Sequence, residues 1–142
     1  MPAAQRFVVL AAFNNEAVLD KNTGLVWEKS PSILEIANAE WFVARTLCLN
    51  SVTGGQKGWR LPSIPELNSL IDPSAPFPDP KLPPGHPFLN VLGLFFWSAT
   101  RSAEFPENAW LVDFTKGLTL SLEKIFPART WCVRGGMNAD QY

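Results

Sequence analysis

One histidine, one tyrosine and two cysteines occur among 142 residues. That scarcity narrows the chemistry at once. A zinc site takes about four His, Cys or carboxylate ligands at recognisable spacing, and Cys48, Cys132 and His86 fall short of such a set. A Cys–His nucleophile pair would have to use His86, which sits in a proline-rich segment with no nucleophile motif near it. No Ser-His-Asp signature, glycine-rich phosphate cradle or motif-placed carboxylate pair occurs. Charge of one sign is lacking too: 12 basic and 13 acidic residues leave a net charge of −1, which predicts no strong attraction to nucleic acid or anionic membranes. No run reaches the roughly 20 apolar residues that span a bilayer, so membrane insertion is not expected.

What is present is aromatic and proline-rich. Six Trp, ten Phe, 13 Pro and nine Gly accompany a hydrophobic fraction of 46%, the mark of a folded chain with many turns. The length suits one domain over residues 1–142. The stretch Phe7 to Phe13, "FVVLAAF", follows Arg6 but runs into Asn14-Asn15-Glu16 rather than a small-residue cleavage site. It reads as a first β-strand, and any export signal would lie outside these residues. "EAVLDKNTGLVWEK" reads as two strands about an Asp20–Gly24 turn. A helix follows, beginning at Ser30-Pro31 or at a Ser32/Glu35 capping box and ending near Asn50. Its Ala37, Trp41, Ala44 and Cys48 form one inward stripe, with Glu35, Asn38, Glu40 and Arg45 wet or marginal.

A second, short helix starts in "GWRLPSIPEL". Ser63 and Glu66 form a capping box, Pro65 lies in the first turn, and Asp72-Pro73 stops it. Residues 73–90 then hold seven prolines and one glycine, a density that excludes strand or helix interiors. Phe77, Leu82, Phe88 and Leu89 predict that this long loop packs on the body. The remainder reads as strands: Leu94 to Ala99, Ala109 to Phe114, Leu118 to Leu122 and Thr130 to Arg134.

Taken in order, "LDKNTGLVWEK", the helix bearing Trp41 and Cys48, "GWRLPSIPELNSLID", "HPFLNV", "FWSAT", "AWLVDFTKG" and "WCVRGG" resemble the Lcl C-terminal domain family, the ligand-binding domain named for a collagen-like bacterial adhesin. The resemblance implies an α+β, C-type lectin-like fold, related to the formylglycine-generating-enzyme branch: two helices packed on a twisted antiparallel sheet, neighbouring termini and a long proline-rich loop region. It also implies a non-catalytic recognition module of an exported, secreted or cell-surface bacterial protein. In C-type lectin-like domains a cysteine on the first helix is commonly bridged to one on the last strand, and Cys48 and Cys132 occupy those places. A disulfide is thus the reading the resemblance favours, against two buried free thiols, catalysis or metal.

Many lectins of this fold bind sugars through calcium held by EPN or QPD and WND triplets. Pro106-Glu107-Asn108 and Trp110-Leu111-Val112-Asp113 echo those triplets without matching them, so an ordinary polar turn and no metal or other cofactor are expected. Arg60 is read as a brace between the second helix and loop backbone or a carboxylate, with Trp59 filling core and Glu66 capping. Trp27, Trp41, Trp59, Trp97, Trp110 and Trp131 all fall in predicted elements or family motifs, and the sequence does not single out one exposed for sugar stacking.

The groups able to read a polar ligand are Asp79, Lys81, His86, Arg101, Glu104, Glu107, Asn108, Lys116, Lys124 and Arg129, in loops near 73–93, 101–108 and 115–129. The expected partner is a glycan or a protein at a surface. A sulfated polyanion fits only if these few cations cluster. The rival reading is a structural module that docks on another chain or forms a homo-oligomer such as a trimer.

Overall fold

The computed structural model describes residues 2–31, 38–91 and 95–135. A one-turn helix, α1 (Ala3–Arg6), leads into β1 (Phe7–Val9), and β2 (Ala17–Asp20) and β3 (Val26–Glu28) follow. The strand expected over Phe7 to Phe13 is cut short, because Ala11–Phe13 coils into a 3-10 turn. The chain must reverse here to pair β1 with β2, and Asn14 and Asn15 take the left-handed conformation, at φ 55° and 60°, to do so. Asparagine tolerates that region better than most side chains. The Asp20 turn forms as its residues dictate: Asp20 Oδ1 accepts the Asn22 N–H at 2.9 Å, and Gly24 adopts φ 80°.

The first long helix starts later than its sequence predicts. Strand β4 (Asn38–Ala39) is extended, and α2 runs Trp41–Leu49. Ala39 pairs with Ala128, and its carbonyl accepts the Trp97 indole N–H at 2.8 Å, so sheet pairing holds these residues out of the helix. The alternative Ser32/Glu35 cap and Ala37 lie outside the described residues. Downstream the stripe is as read: Trp41, Ala44 and Cys48 are buried, Arg45 is exposed, and Asn50 is the C-cap. Helix α3 (Ile64–Asn68) carries the complete Ser63/Glu66 capping box.

Strands β5 (Phe95–Arg101), β6 (Asn108–Asp113) and β7 (Leu118–Glu123) form an antiparallel meander. Of the strand expected over Thr130 to Arg134 only the end forms, as β9 (Val133–Arg134), which pairs with β3, while a separate strand, β8 (Ala128–Arg129), precedes it and lies beside β5 in parallel. The one twisted antiparallel sheet expected is therefore two sheets, ordered β1-β2-β3-β9 and β4-β8-β5-β6-β7. The architecture is mixed α+β, with few helices and two curled, antiparallel-rich sheets.

Trp131, fully buried, sits where the chain crosses between the sheets and meets Trp27, Phe88, Phe96 and Phe114 at ring-centroid distances of 5.2, 5.0, 5.7 and 6.0 Å. A second cluster, including Trp41, Trp59, Trp97, Leu111 and Cys48, fills the space between α2 and the larger sheet. Disulfide Cys48–Cys132 ties α2 to the inter-sheet crossing, with Cα atoms 5.4 Å apart across 84 positions of sequence. The proline-rich loop packs by only half of its apolar residues. Leu82 and Phe88 are buried, whereas Phe77 is 79% and Leu89 52% exposed.

Candidate functional site

The polar groups fall into three sets. The first is built into the frame. Arg60 grips Glu66 with both arms, Nη1 to Oε1 and Nη2 to Oε2 at 2.7 Å each, and also donates to the carbonyls of Leu61 and Gly135. Its own backbone bridges to Val133, so α3, the preceding loop and β9 meet at one side chain. Burial alone would push the Glu66 carboxyl up, but the Arg60 bonds and the Ser63 cap outweigh it and hold the pKa below the usual value. Trp59 is buried, its indole N–H donating to Gln56 and Thr53 carbonyls. Glu28 forms a second junction: its carboxylate accepts the Cys132 N–H at 2.9 Å and the Thr53 hydroxyl at 2.6 Å. Here burial wins over the hydrogen bonds, and the pKa is raised.

The second set lies at the Phe114 end of the β6–β7 hairpin. Lys81 donates its backbone N–H to Phe114 and its ammonium to Ala75, both carbonyls, at 2.7 and 2.5 Å. Its stem faces the turn of Lys116 and Gly117. Asp79 and His86 line a recess of about 390 Å3 within the proline-rich loop. Burial pushes the imidazole pKa down, and nearby Asp79 partly offsets that. Nδ1 is turned inward, accepting the Phe88 N–H at 3.1 Å.

The third set lies at the opposite end of the same strands. Arg101 ends β5, Glu104 and Glu107 follow in the turn, and Asn108 opens β6. Lys124, just past β7, ties this turn down: its N–H reaches the Glu107 carbonyl at 2.8 Å and its ammonium the Pro106 carbonyl at 2.9 Å. Asp113 sits five residues up β6 from Asn108, about 17 Å away along a strand, and accepts the Thr115 N–H at 2.8 Å. The oxygens of Glu107, Asn108 and Asp113 therefore do not converge. Arg129 is separate again, on β8 beside Asn38 and Phe96. The ten candidate residues thus form no single face, and the turn at 101–108 holds the densest group.

Two features of that end are not evident from the sequence. Three cations far apart in sequence gather on Trp41: Arg45 of α2, Arg101 of β5 and Lys124 just past β7 stand 5.9, 5.1 and 4.9 Å from its ring. Among the described residues no carboxylate lies within ion-pair distance of any of them. Second, Trp110 is the tryptophan left partly open; the other five are at most 1% exposed. Its side chain borders a recess of about 420 Å3 shared with Arg101, Glu104, Asn108 and Ser121, and an apolar slot of about 310 Å3 beside Ile64 and Thr100. A further recess of about 500 Å3 continues past Asn108 and Ser121 to Ile125. Strand parity was the available signal, since Trp110 shares its face of β6 with polar Asn108.

A comparison with curated proteins found no match. The model of the Lcl C-terminal domain matches residues 16–134, a span from just before β2 through β9 that takes in the disulfide, the Arg60 brace and the recessed end of the larger sheet. The chain belongs to the Lcl C-terminal domain family.

Proposed function

We propose that this protein is a non-catalytic, C-type lectin-like recognition domain of a secreted or cell-surface adhesin-type bacterial protein, and that it binds an acidic glycan at the 101–108 end of the larger sheet. The observation that carries the reading is the gathering of Arg45, Arg101 and Lys124 on Trp41 without a carboxylate partner among the described residues. Net charge is only −1, so local clustering rather than overall charge supplies the attraction. A carboxylate or sulfate suits two guanidinium groups and an ammonium. An oxidising location is supported by the disulfide, which bonds persist outside the reducing cytosol. The non-catalytic reading is supported by the state of the candidate nucleophiles: both cysteines are bridged, and His86 lies in the proline-rich loop with Nδ1 engaged.

The test is binding of hyaluronate and chondroitin sulfate oligosaccharides, with a neutral dextran oligosaccharide as control, measured by calorimetry at low and high salt. Selective binding of the acidic chains that weakens with salt and is lost in Arg101→Ala/Lys124→Ala is expected. Equal binding of the neutral control, or no salt dependence, removes the acidic reading.

A second reading, docking on another protein chain, is favoured by a different observation. Phe42, Val43, Leu49 and Val52 stand exposed on and just after α2, and Phe42 adjoins Lys124. A concentration-dependent mass in solution, abolished by Phe42→Ser, supports that alternative.

A further inference from the structure

We infer that Trp110 is the stacking platform of a carbohydrate subsite, taking a neutral pyranose ring on the open face of β5–β6–β7. The inference rests on the glycan-recognition reading and adds where the uncharged part of the chain lies. Buried indoles in this molecule spend their N–H groups inside the protein: Trp41 on Ser98, Trp59 on Gln56, Trp97 on Ala39 and Trp131 on Glu28, all carbonyls. The Trp27 indole N–H is buried with no hydrogen-bond partner among the described residues. Trp110 alone is both partly open to solvent and without an N–H partner among the described residues, so its donor and part of its ring are available to a ligand.

Position and rigidity follow from the sheet. Trp110 lies opposite Ser121 on β7, with the Asn108–Glu123 and Val112–Thr119 pairs on either side of it along the same face. Val112 is covered, because α3 packs over that end of β6. The cover stops at Ile64 and Pro65, which with Thr100 and Thr119 wall the slot beside Trp110. The Trp110 carbonyl is held at 2.6 Å by the hydroxyl of Ser98, itself fully buried, which also accepts the Thr100 N–H at 3.0 Å. The ring is thus presented on a fixed backbone, and preorganisation of this kind lowers the entropy cost of binding.

The chemistry of the rim selects the occupant. A pyranose offers an apolar C–H face and an equatorial belt of hydroxyls that donate and accept. Trp110 supplies an aromatic face for the first. Arg101, the indole N–H and Glu104 supply donors and an acceptor for the second, and Asn108 keeps its carbonyl oxygen for a ligand because its amide N–H points to Ser121 at 3.2 Å. A flat aromatic ligand would use the ring but waste this mixed polar belt. Arg101 is common to the recess and to the cations on Trp41, so the two candidate sites adjoin at that side chain.

The six indole N–H signals of the 15N-labelled protein separate the outcomes. Xylotetraose, cellotetraose and chitotriose serve as neutral probes and a chondroitin sulfate tetrasaccharide as the acidic one, each titrated to about 10 mM, which detects dissociation constants up to the millimolar range. The expected result is a saturable shift of the Trp110 signal with at least one neutral probe while the buried indoles stay still. Trp110→Ala should weaken that binding about tenfold or more. Trp110→Phe, which keeps an aromatic ring in the slot, should weaken it less and controls for folding. Binding of the acidic probe that moves Arg101 and leaves Trp110 unmoved overturns this inference and leaves the acidic-glycan reading standing. A Trp110 signal unmoved by every probe also overturns it, and a shift with neutral probes alone keeps the platform while removing the acidic reading.

Discussion

Beside the smaller sheet Arg6 and Arg60 hold carboxylates, whereas beside α2 Arg45 and Arg101 lie over the ring of Trp41 without one among the described residues. Arg6 grips fully buried Asp20 through two 2.8 Å bonds, and Arg60 grips buried Glu66 through two at 2.7 Å. Arg45, Arg101 and Lys124 lie over Trp41 with no carboxylate at ion-pair distance among the described residues, and Lys124 also donates to the Pro106 carbonyl and stands over Phe42. The first arrangement removes charge from availability and fixes loops to strands. The second costs the fold little and leaves charge to be met from outside. Partnering, rather than residue type, separates the charges that build this molecule from those free to read a ligand.

The comparison is sharpened first at the disulfide, the strongest tie of the closed region. Replacing both Cys48 and Cys132 by Ala opens a separation of 84 positions and should lower unfolding free energy by about 4–5 kcal/mol in the chain-entropy model, read as the shift of a urea midpoint. Arg60→Ala comes next. It leaves Glu66 buried without its cation, and because the Arg60 side chain is 35% exposed the expected loss is about 1–3 kcal/mol, below that of a fully buried pair. Arg60→Lys should not restore the wild-type midpoint, since an ammonium cannot make the two-armed contact.

A smaller effect separates the two junction carboxylates by pH. Glu66, held below its usual value of 4.5, contributes stability present above that pH and lost as pH falls through its folded pKa. Glu28, raised from 4.5, binds its proton more tightly in the folded state, so stability declines as pH rises from 4.5 through its raised pKa. Glu66→Gln should therefore flatten the acid side of a midpoint-against-pH curve, and Glu28→Gln the side just above it. Matching changes in both variants would show that the junctions are not distinct. Smallest of all, Arg101→Ala and Lys124→Ala should each move stability by no more than about 0.5 kcal/mol in thermal melts. A loss as large as that of Arg60→Ala would erase the distinction between braced and available cations.

Local rules made much of the frame legible. The Ser63/Glu66 box, the Trp41–Ala44–Cys48 stripe and the Asp20 turn depend on neighbours within a few residues, and each forms as read. Pairing between distant segments was not legible. Ala39 is held extended by Ala128, and Trp131 and Cys132 separate β8 from β9, through contacts that no local periodicity encodes. The candidate site suffers most from this. Arg45 reads as a wet helix position and Lys124 as a turn residue, and only the fold carries them to the same ring as Arg101. Proline density gave the long loop but not its packing, since Phe77 and Phe88 differ in burial within one segment.

The crossing at Trp131 also gives the molecule two separate optical reporters. Trp27 and Trp131 lie 5.2 Å apart at 56°, close and tilted enough for their transition dipoles to couple, so circular dichroism follows whether the two sheets remain joined. Trp110 stands apart from that aromatic cluster and partly in water, where its emission answers to whatever displaces solvent from its ring. Folding and occupancy can therefore be watched in the same unlabelled sample through different tryptophans.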